Sequence, residues 1–384
     1  MLNLWKKAYV VLLAVWISLL PMTVFADEQQ ESEPQVSAGS AILICADTGD
    51  ALFAKNENER RPMASTTKIM TALLAFEEAD SNNKEVEITD AMVRVEGSSM
   101  GLLPGNVLTL ENIAKGMMMC SGNDAANSLA IAISGSTEKF SDLMNERAEQ
   151  IGMTNTHFVT PSGLGAKEHY STAKDMAALG AYAMENKKFC QTVSSKSICV
   201  PFCKPEETHT YKNHNRLLSL YNGCIGVKTG FTKEAGRCLV SCAERNGVRL
   251  VAVTLNAPDD WKDHQAMYDY GFSKVSSMSF DDSSVRIPLK VVGGIEDEIY
   301  VLGKTSSKIT VRNEDINLIQ RGIELPSSCY APIHKGQIVG KVVYRLDGKI
   351  IASNDLTADR DLDYKVPPKN IFQKIGKFFG NLFG

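Results

Sequence analysis

Apolar positions change their rhythm several times along this chain, and each change predicts a different kind of element. Residues 8–20 form one unbroken apolar run behind Lys6 and Lys7. Residues 41–46 (Ala-Ile-Leu-Ile-Cys-Ala) read as a buried strand, Asp47-Thr48-Gly49-Asp50 as a turn, and 51–54 as the partner strand of a hairpin. From Ser65 to about Met184 the spacing is helical. Residues 69–76 are apolar enough for a buried helix, and further helices are predicted over 110–119, 124–133, from Ser136 to near Ile151, and over 173–184. Strands then return at 226–230, 237–243 and 248–254, with Asn246-Gly247 as a hairpin turn between the last two. Strands early and late around a helical middle predict an α+β domain in which one antiparallel sheet carries the first and last segments. Beyond it, 285–292, 298–302, 308–311, 342–346 and 349–352 predict a small β-rich domain, its last two strands joined by Asp347-Gly348. At the chain end Ile371, Phe372, Ile375, Phe378, Phe379, Leu382 and Phe383 fall on one helical face, with Lys374 and Lys377 outside it. Such a helix is too short to span a bilayer but is suited to lie in its surface; the alternative is a terminal helix docked on its own domain.

These rhythms predict a domain order. Residues 1–26 read as a secretory signal, with Val24-Phe25-Ala26 offering small residues for cleavage after Ala26, against the alternative of an uncleaved anchor. The acidic, polar stretch 27–37 reads as a disordered linker. A first domain over 38–275, a β-rich domain over 283–366 and an anchor helix over 367–384 follow. The chain of 384 residues is 44% hydrophobic and 22% charged, room for two domains of ordinary composition. Its net charge of −4, without a basic cluster, argues against a nucleic-acid partner. Nine cysteines leave at least one free of any intrachain pairing; an exported chain with so many invites disulfides, but the sequence cannot pair them. Spacings of four at Cys199/Cys203 and Cys238/Cys242, with no histidine pair to complete a ligand set, predict no metal.

Three short motifs carry the chemistry: Ser65-Thr66-Thr67-Lys68, Ser121-Gly122-Asn123 and Lys228-Thr229-Gly230. The S-x-x-K pattern occurs also at Ser136/Lys139 and Ser171/Lys174, where the serine reads as a helix start. Ser65 differs because the buried helix follows it, which places it at the positive end of that helix's dipole, and Lys68 would share its face of the first turn. A lysine acting as base needs its pKa brought down from about 10.4. Burial and a second cation do this, and Lys228 is the candidate cation. Ser121-Gly122-Asn123 falls in a tight turn between two predicted helices. On a strand, Lys228 and Thr229 can meet a carboxylate, and Gly230 permits close approach of a substrate backbone. Gly97-Ser98-Ser99-Met100-Gly101 fits a hydrolase elbow, but Pro104 and Gly105 follow at once and predict a loop.

In combination and order, the three motifs resemble those of class A β-lactamases and penicillin-binding proteins. The longer segments 62–71, 121–127 and 228–232 with Ala235-Gly236 resemble the serine-type D-alanyl-D-alanine carboxypeptidases, the low-molecular-mass penicillin-binding proteins of peptidase family S11. The resemblance covers roughly 38–274. It implies the transpeptidase-like α+β fold, with Ser65 as acyl-ester nucleophile, Lys68 as proton acceptor and Ser121 as a proton relay. It further implies substrate binding by Asn123, Lys228, Thr229, Gly230 and Phe231, an oxyanion hole from the N–H groups of Ser65 and Phe231, and no cofactor. Phe231 departs from members with histidine there. The implied function is removal of the terminal D-alanine from peptidoglycan stem peptides, with β-lactams as acylating mimics. The implied location is the outer face of the cytoplasmic membrane, reached through the C-terminal helix. A D,D-endopeptidase or a β-lactamase using the same serine is the alternative, though no Glu-x-x-Leu-Asn segment stands between Ser121 and Lys228 to serve the latter.

Overall fold

The computed structural model describes residues 32–165, 167–304 and 308–366. The predicted signal segment and the predicted anchor helix lie outside the described residues. No helix among the described residues is long and apolar enough to cross a membrane. Of the predicted linker, 32–37 are described, and its end is tied down. Val36 O accepts from Lys55 Nζ at 2.9 Å, and Ser37 donates through N and Oγ to the Asp263 carboxylate at 2.9 and 2.8 Å.

The strands in chain order begin with β1 (Ser40–Cys45) and β2 (Ala51–Lys55), the predicted hairpin. Two short antiparallel pairs that the sequence reading missed follow: β3 (Glu85–Glu87) with β4 (Val107–Thr109), and the hairpin of β5 (Ser197–Phe202) with β6 (Glu207–Lys212). Then come β7 (Cys224–Thr232), β8 (Gly236–Arg245) and β9 (Val248–Leu255), joined by tight turns. The main sheet has the order β2-β1-β9-β8-β7, all antiparallel, so the first and last segments lie side by side as expected. Its helical neighbours are α1 (Lys68–Asn82), α2 (Leu110–Cys120), α3 (Asn123–Ser134), α4 (Thr137–Ile151), α5 (Ala173–Glu185), α6 (Lys187–Ser194) and α7 (Asp260–Lys274).

Strand β1 is buried along its whole length because both faces of the sheet are covered. Side chains alternate across it. Ile42 and Ile44 join the core beneath the helical middle, while Ala41, Leu43 and Cys45 join a second core with Met267 and Tyr268 of α7. Helix α1 is apolar nearly all round and accordingly sits inside, with Ile69, Met70, Ala72, Leu73 and Phe76 buried. Removing one such side chain, as in Leu73→Ala, costs about 2–5 kcal/mol through lost transfer energy and the cavity left.

The β-rich part forms a sheet from β11 (Arg286–Val292), β12 (Glu298–Leu302), β14 (Gln320–Glu324), β15 (Cys329–Tyr330), β16 (Ile338–Leu346) and β17 (Lys349–Ala358). The stretch predicted at 308–311 is the exception: β13 (Ile309–Arg312) pairs with β10 (Val275–Met278), outside that sheet. It also leans on the β1–β2 hairpin through Thr310 Oγ1, which donates to Asp47 Oδ2 at 2.6 Å. Inside the β-rich part, Asp282 is a buried carboxylate that accepts from Arg321, Tyr344 and Asn354. Burial opposes its ionisation, but these hydrogen bonds outweigh burial and hold its carboxyl below the ordinary value.

The invitation to disulfides is not taken up: all nine cysteines are free. Cys238 and Cys242 lie four residues apart on β8, about 13 Å along a strand, beyond the reach of an S–S bond. Burial pushes the thiols of Cys120, Cys224 and Cys238 up to about 11, which makes them poor nucleophiles.

Candidate active site

The nucleophile segment departs from expectation in one respect. The regular helix begins at Lys68, and Ser65 lies in a 3-10 turn, Ala64–Thr67, that leads into it. Ser65 is therefore not on the first turn of the α-helix. The tighter turn still brings the pair together: Lys68 Nζ donates to Ser65 Oγ at 3.0 Å. Two further acceptors hold the ammonium, Asn123 Oδ1 at 2.7 Å and the Ser162 carbonyl at 2.8 Å. Lys68 is fully buried. Burial pushes its pKa well below the usual lysine value, and the Lys228 charge lowers it further, against the pull of Cys120 and Asp124.

Helices α2 and α3 meet at the second motif. Ser121 caps α2 in a left-handed conformation at φ 61, and Asn123 opens α3. The turn leaves no room for a side chain at Gly122, where a Cβ would lie 2.7 Å from both Met100 N and Asp124 Oδ1. The Asn123 amide is oriented by donating Nδ2 to Glu96 O at 2.7 Å, which turns its oxygen toward Lys68. Ser121 Oγ instead accepts from Lys228 Nζ at 3.1 Å.

The third motif lies on β7, the edge strand of the sheet. Lys228 is buried, donating also to Thr229 O at 2.8 Å, and burial lowers its pKa to about 8. Gly230 packs on the nucleophile turn. A Cβ there would stand 3.0 Å from Ser65 N and 3.1 Å from Met63 O, so glycine keeps the space before the Ser65 N–H open. Ser65, Ser121, Thr229, Gly230 and Phe231 line one cleft of about 300 Å³. All eight site residues read from the sequence are thus gathered at one sheet edge, six in two hydrogen-bonded groups, with Gly230 and Phe231 joining the cleft wall as bare backbone and exposed ring.

Four features of the site escaped the sequence reading. The Ser162 carbonyl is backbone on an unpatterned loop. Asp124 holds loop 97–102 by accepting from Ser99 Oγ, Met100 N, Gly101 N and Leu102 N, a role its place beside Asn123 could have signalled. Arg237 reaches the cleft wall from β8, held by Asp260 through Nε at 3.0 Å and stacked toward Trp261. His169, from the segment before α5, reaches back to Thr67. Gly97-Ser98-Ser99-Met100-Gly101 forms the expected loop and no elbow.

Known proteins share this arrangement. Residues 27–259 match the D-alanyl-D-alanine carboxypeptidase family of peptidase S11, and residues 277–364 match the C-terminal domain of penicillin-binding protein 5. The chain is 34% identical over 348 residues to D-alanyl-D-alanine carboxypeptidase DacF of Bacillus subtilis, with 88% of each chain covered. Among solved structures, penicillin binding protein 5 from Haemophilus influenzae shares 30% identity at a TM-score of 0.64, covering 86% of this chain and 99% of that one. The Streptomyces K15 DD-transpeptidase shares 34% identity at a TM-score of 0.60, covering 63% and 99%. An α+β penicillin-binding-protein fold followed by the penicillin-binding protein 5 β domain defines the class, a serine hydrolase. Within that class, the chain belongs to the D-alanyl-D-alanine carboxypeptidase family.

Proposed function

We propose that this protein removes the C-terminal D-alanine from peptidoglycan pentapeptide stems through an acyl-enzyme on Ser65. The observation that carries the reading is the 3.0 Å contact between Ser65 Oγ and a buried Lys68 whose charged form is disfavoured. In its neutral form Lys68 takes the hydroxyl proton as Oγ attacks the penultimate carbonyl. The oxyanion forms against the N–H groups of Ser65 and Phe231. Collapse breaks the peptide bond, and the leaving D-alanine amine takes a proton from Ser121, which Lys228 replenishes. Water then hydrolyses the ester. Lys228, Thr229 and Gly230 receive the terminal carboxylate end, with Arg237 adding positive charge on the same wall, and Asn123 holds Lys68 and substrate. A β-lactam presents a carboxylate and a strained amide to the same groups and acylates Ser65. The relatives named as carboxypeptidases and the match to the penicillin-binding protein 5 β domain favour this over an endopeptidase or a β-lactamase.

The finer reading extends to domain limits and location. Residues 1–26 direct export, 38–275 and 283–366 are the two folded domains, and 367–384 lie in the outer face of the cytoplasmic membrane. The apolar stripe of the tail and the apolar run near the start support this.

The test is D-alanine release from diacetyl-lysyl-D-Ala-D-Ala by the full chain, beside Ser65→Ala. Release that disappears with Ser65, together with loss of penicillin labelling, is expected. Release or labelling that survives Ser65→Ala overturns the assignment.

A further inference from the structure

His169 is buried and outside the proposed catalytic set, yet every polar atom of its ring is committed. Nδ1 accepts from Val159 N at 3.0 Å, with Thr160 N at 3.4 Å. That leaves the ring proton on Nε2, which stands 2.8 Å from Thr67 Oγ1. The Thr67 hydroxyl, with its oxygen so occupied, donates its own proton to the Ala64 carbonyl at 2.8 Å. Burial lowers the histidine pKa to about 4, which keeps this neutral tautomer in place at neutral pH.

The end of this chain matters because of what a peptide unit is. The Ala64 carbonyl and the Ser65 N–H belong to one planar group and point in opposite directions. Fixing the carbonyl therefore aims the N–H, and a hydrogen bond into the oxygen strengthens the N–H as a donor. The unit needs holding, since Ala64 sits at φ 48, a conformation that L-residues avoid. Gly163 seals the other side, where any Cβ would overlap the Ala64 oxygen. We propose that His169 is a positioning residue which, through Thr67, aims and polarises the Ala64–Ser65 peptide so that the Ser65 N–H meets the oxyanion. This rests on the assignment of Ser65 as nucleophile and oxyanion donor.

A group that acts only on the oxyanion changes the chemical step and leaves ground-state binding alone. The experiment measures kcat and KM on the D-Ala-D-Ala peptide, and the rate of penicillin acylation, for the full chain carrying His169→Leu, His169→Gln, Thr67→Val or Thr67→Val with His169→Leu. His169→Leu is expected to lower kcat and the acylation rate about tenfold or more with KM changed by less than about twofold. His169→Gln, whose amide can donate from the same place, recovers most of the loss. Thr67→Val matches His169→Leu, and the double variant is no worse than Thr67→Val alone. Losses that multiply in the double variant, a change confined to KM, or a glutamine no better than leucine overturn the proposal. If His169→Leu does not fold, Thr67→Val with wild-type kcat overturns it equally. Ser65→Ala that keeps activity fails the underlying assignment instead, and is read separately.

Discussion

Gly163→Ala tests how tightly the nucleophile turn is braced. Gly163 has φ +83, and a Cβ there would overlap the Ala64 carbonyl oxygen and stand 2.7 Å from Thr67 Oγ1. Gly152, after α4, has nearly the same φ of +86 with nothing within 4 Å of its would-be Cβ. The two positions therefore share the backbone strain of a left-handed alanine, about 1–2 kcal/mol, and differ in the collision alone. Gly152→Ala should lose only that amount. Gly163→Ala adds an overpacking cost of about 1–3 kcal/mol, because the obstructing atoms are backbone and a hydrogen-bonded hydroxyl that cannot rotate away. Its total is about 2–5 kcal/mol. Relief comes by separating the Ala64 carbonyl from the Gly163 loop, which loosens the Ala64–Ser65 peptide, so kcat should fall with stability. Chemical denaturation of both variants gives the difference, and D-alanine release gives the catalytic arm. Gly163→Ala that is as stable as Gly152→Ala and keeps full kcat would refute the close packing of this loop on the turn.

The remaining predictions concern charge and thiols. On the proposed assignment Lys68 serves as base when neutral, so the acid limb of kcat/KM should follow its pKa; Lys228→Met removes a charge that lowers that pKa, and the limb should move to higher pH in a penicillin acylation profile, an unmoved limb removing Lys228 from this role. Asp124→Asn replaces the acceptor of four loop donors by a group that itself donates; denaturation should show a loss of about 1–3 kcal/mol, and proteolysis should open loop 97–102, whereas wild-type resistance would count against the loop's dependence on Asp124. With all nine cysteines free, the melting temperature should not change with reductant, and a drop on reduction would reveal a bond.

The period of the apolar pattern made the main sheet readable. Residues 41–46 and 250–253 are continuous apolar runs because both faces of the sheet are covered, and the Asn246-Gly247 turn fixes how two of its strands meet. The pairs β3/β4 and β5/β6 were not legible: β6, for one, is exposed through most of its length and carries no apolar alternation. The site divides in the same way. Side chains of Ser65, Lys68, Ser121, Asn123 and Lys228 sit in short local motifs, so order and spacing identified them. Ser162 contributes a carbonyl, and His169 and Arg237 act through contacts 102 and 23 residues away in sequence, which no local spacing encodes. The sequence pattern starts α1 three residues early because the 3-10 turn at Ala64–Thr67 runs directly into the α-helix, as such turns often do at helix ends.

Because the candidate cleft lies along β7, the unpartnered rim of an antiparallel sheet, a peptide laid there could add itself as one more strand. Recognition would then run through the amide groups common to every peptide, with its side chains alternating to the two faces of the sheet. The same rim is what a sheet-bearing protein normally has to shield against sticking to its own copies; here the nucleophile turn crosses it at Gly230, so part of the guard against self-association is the catalytic apparatus itself.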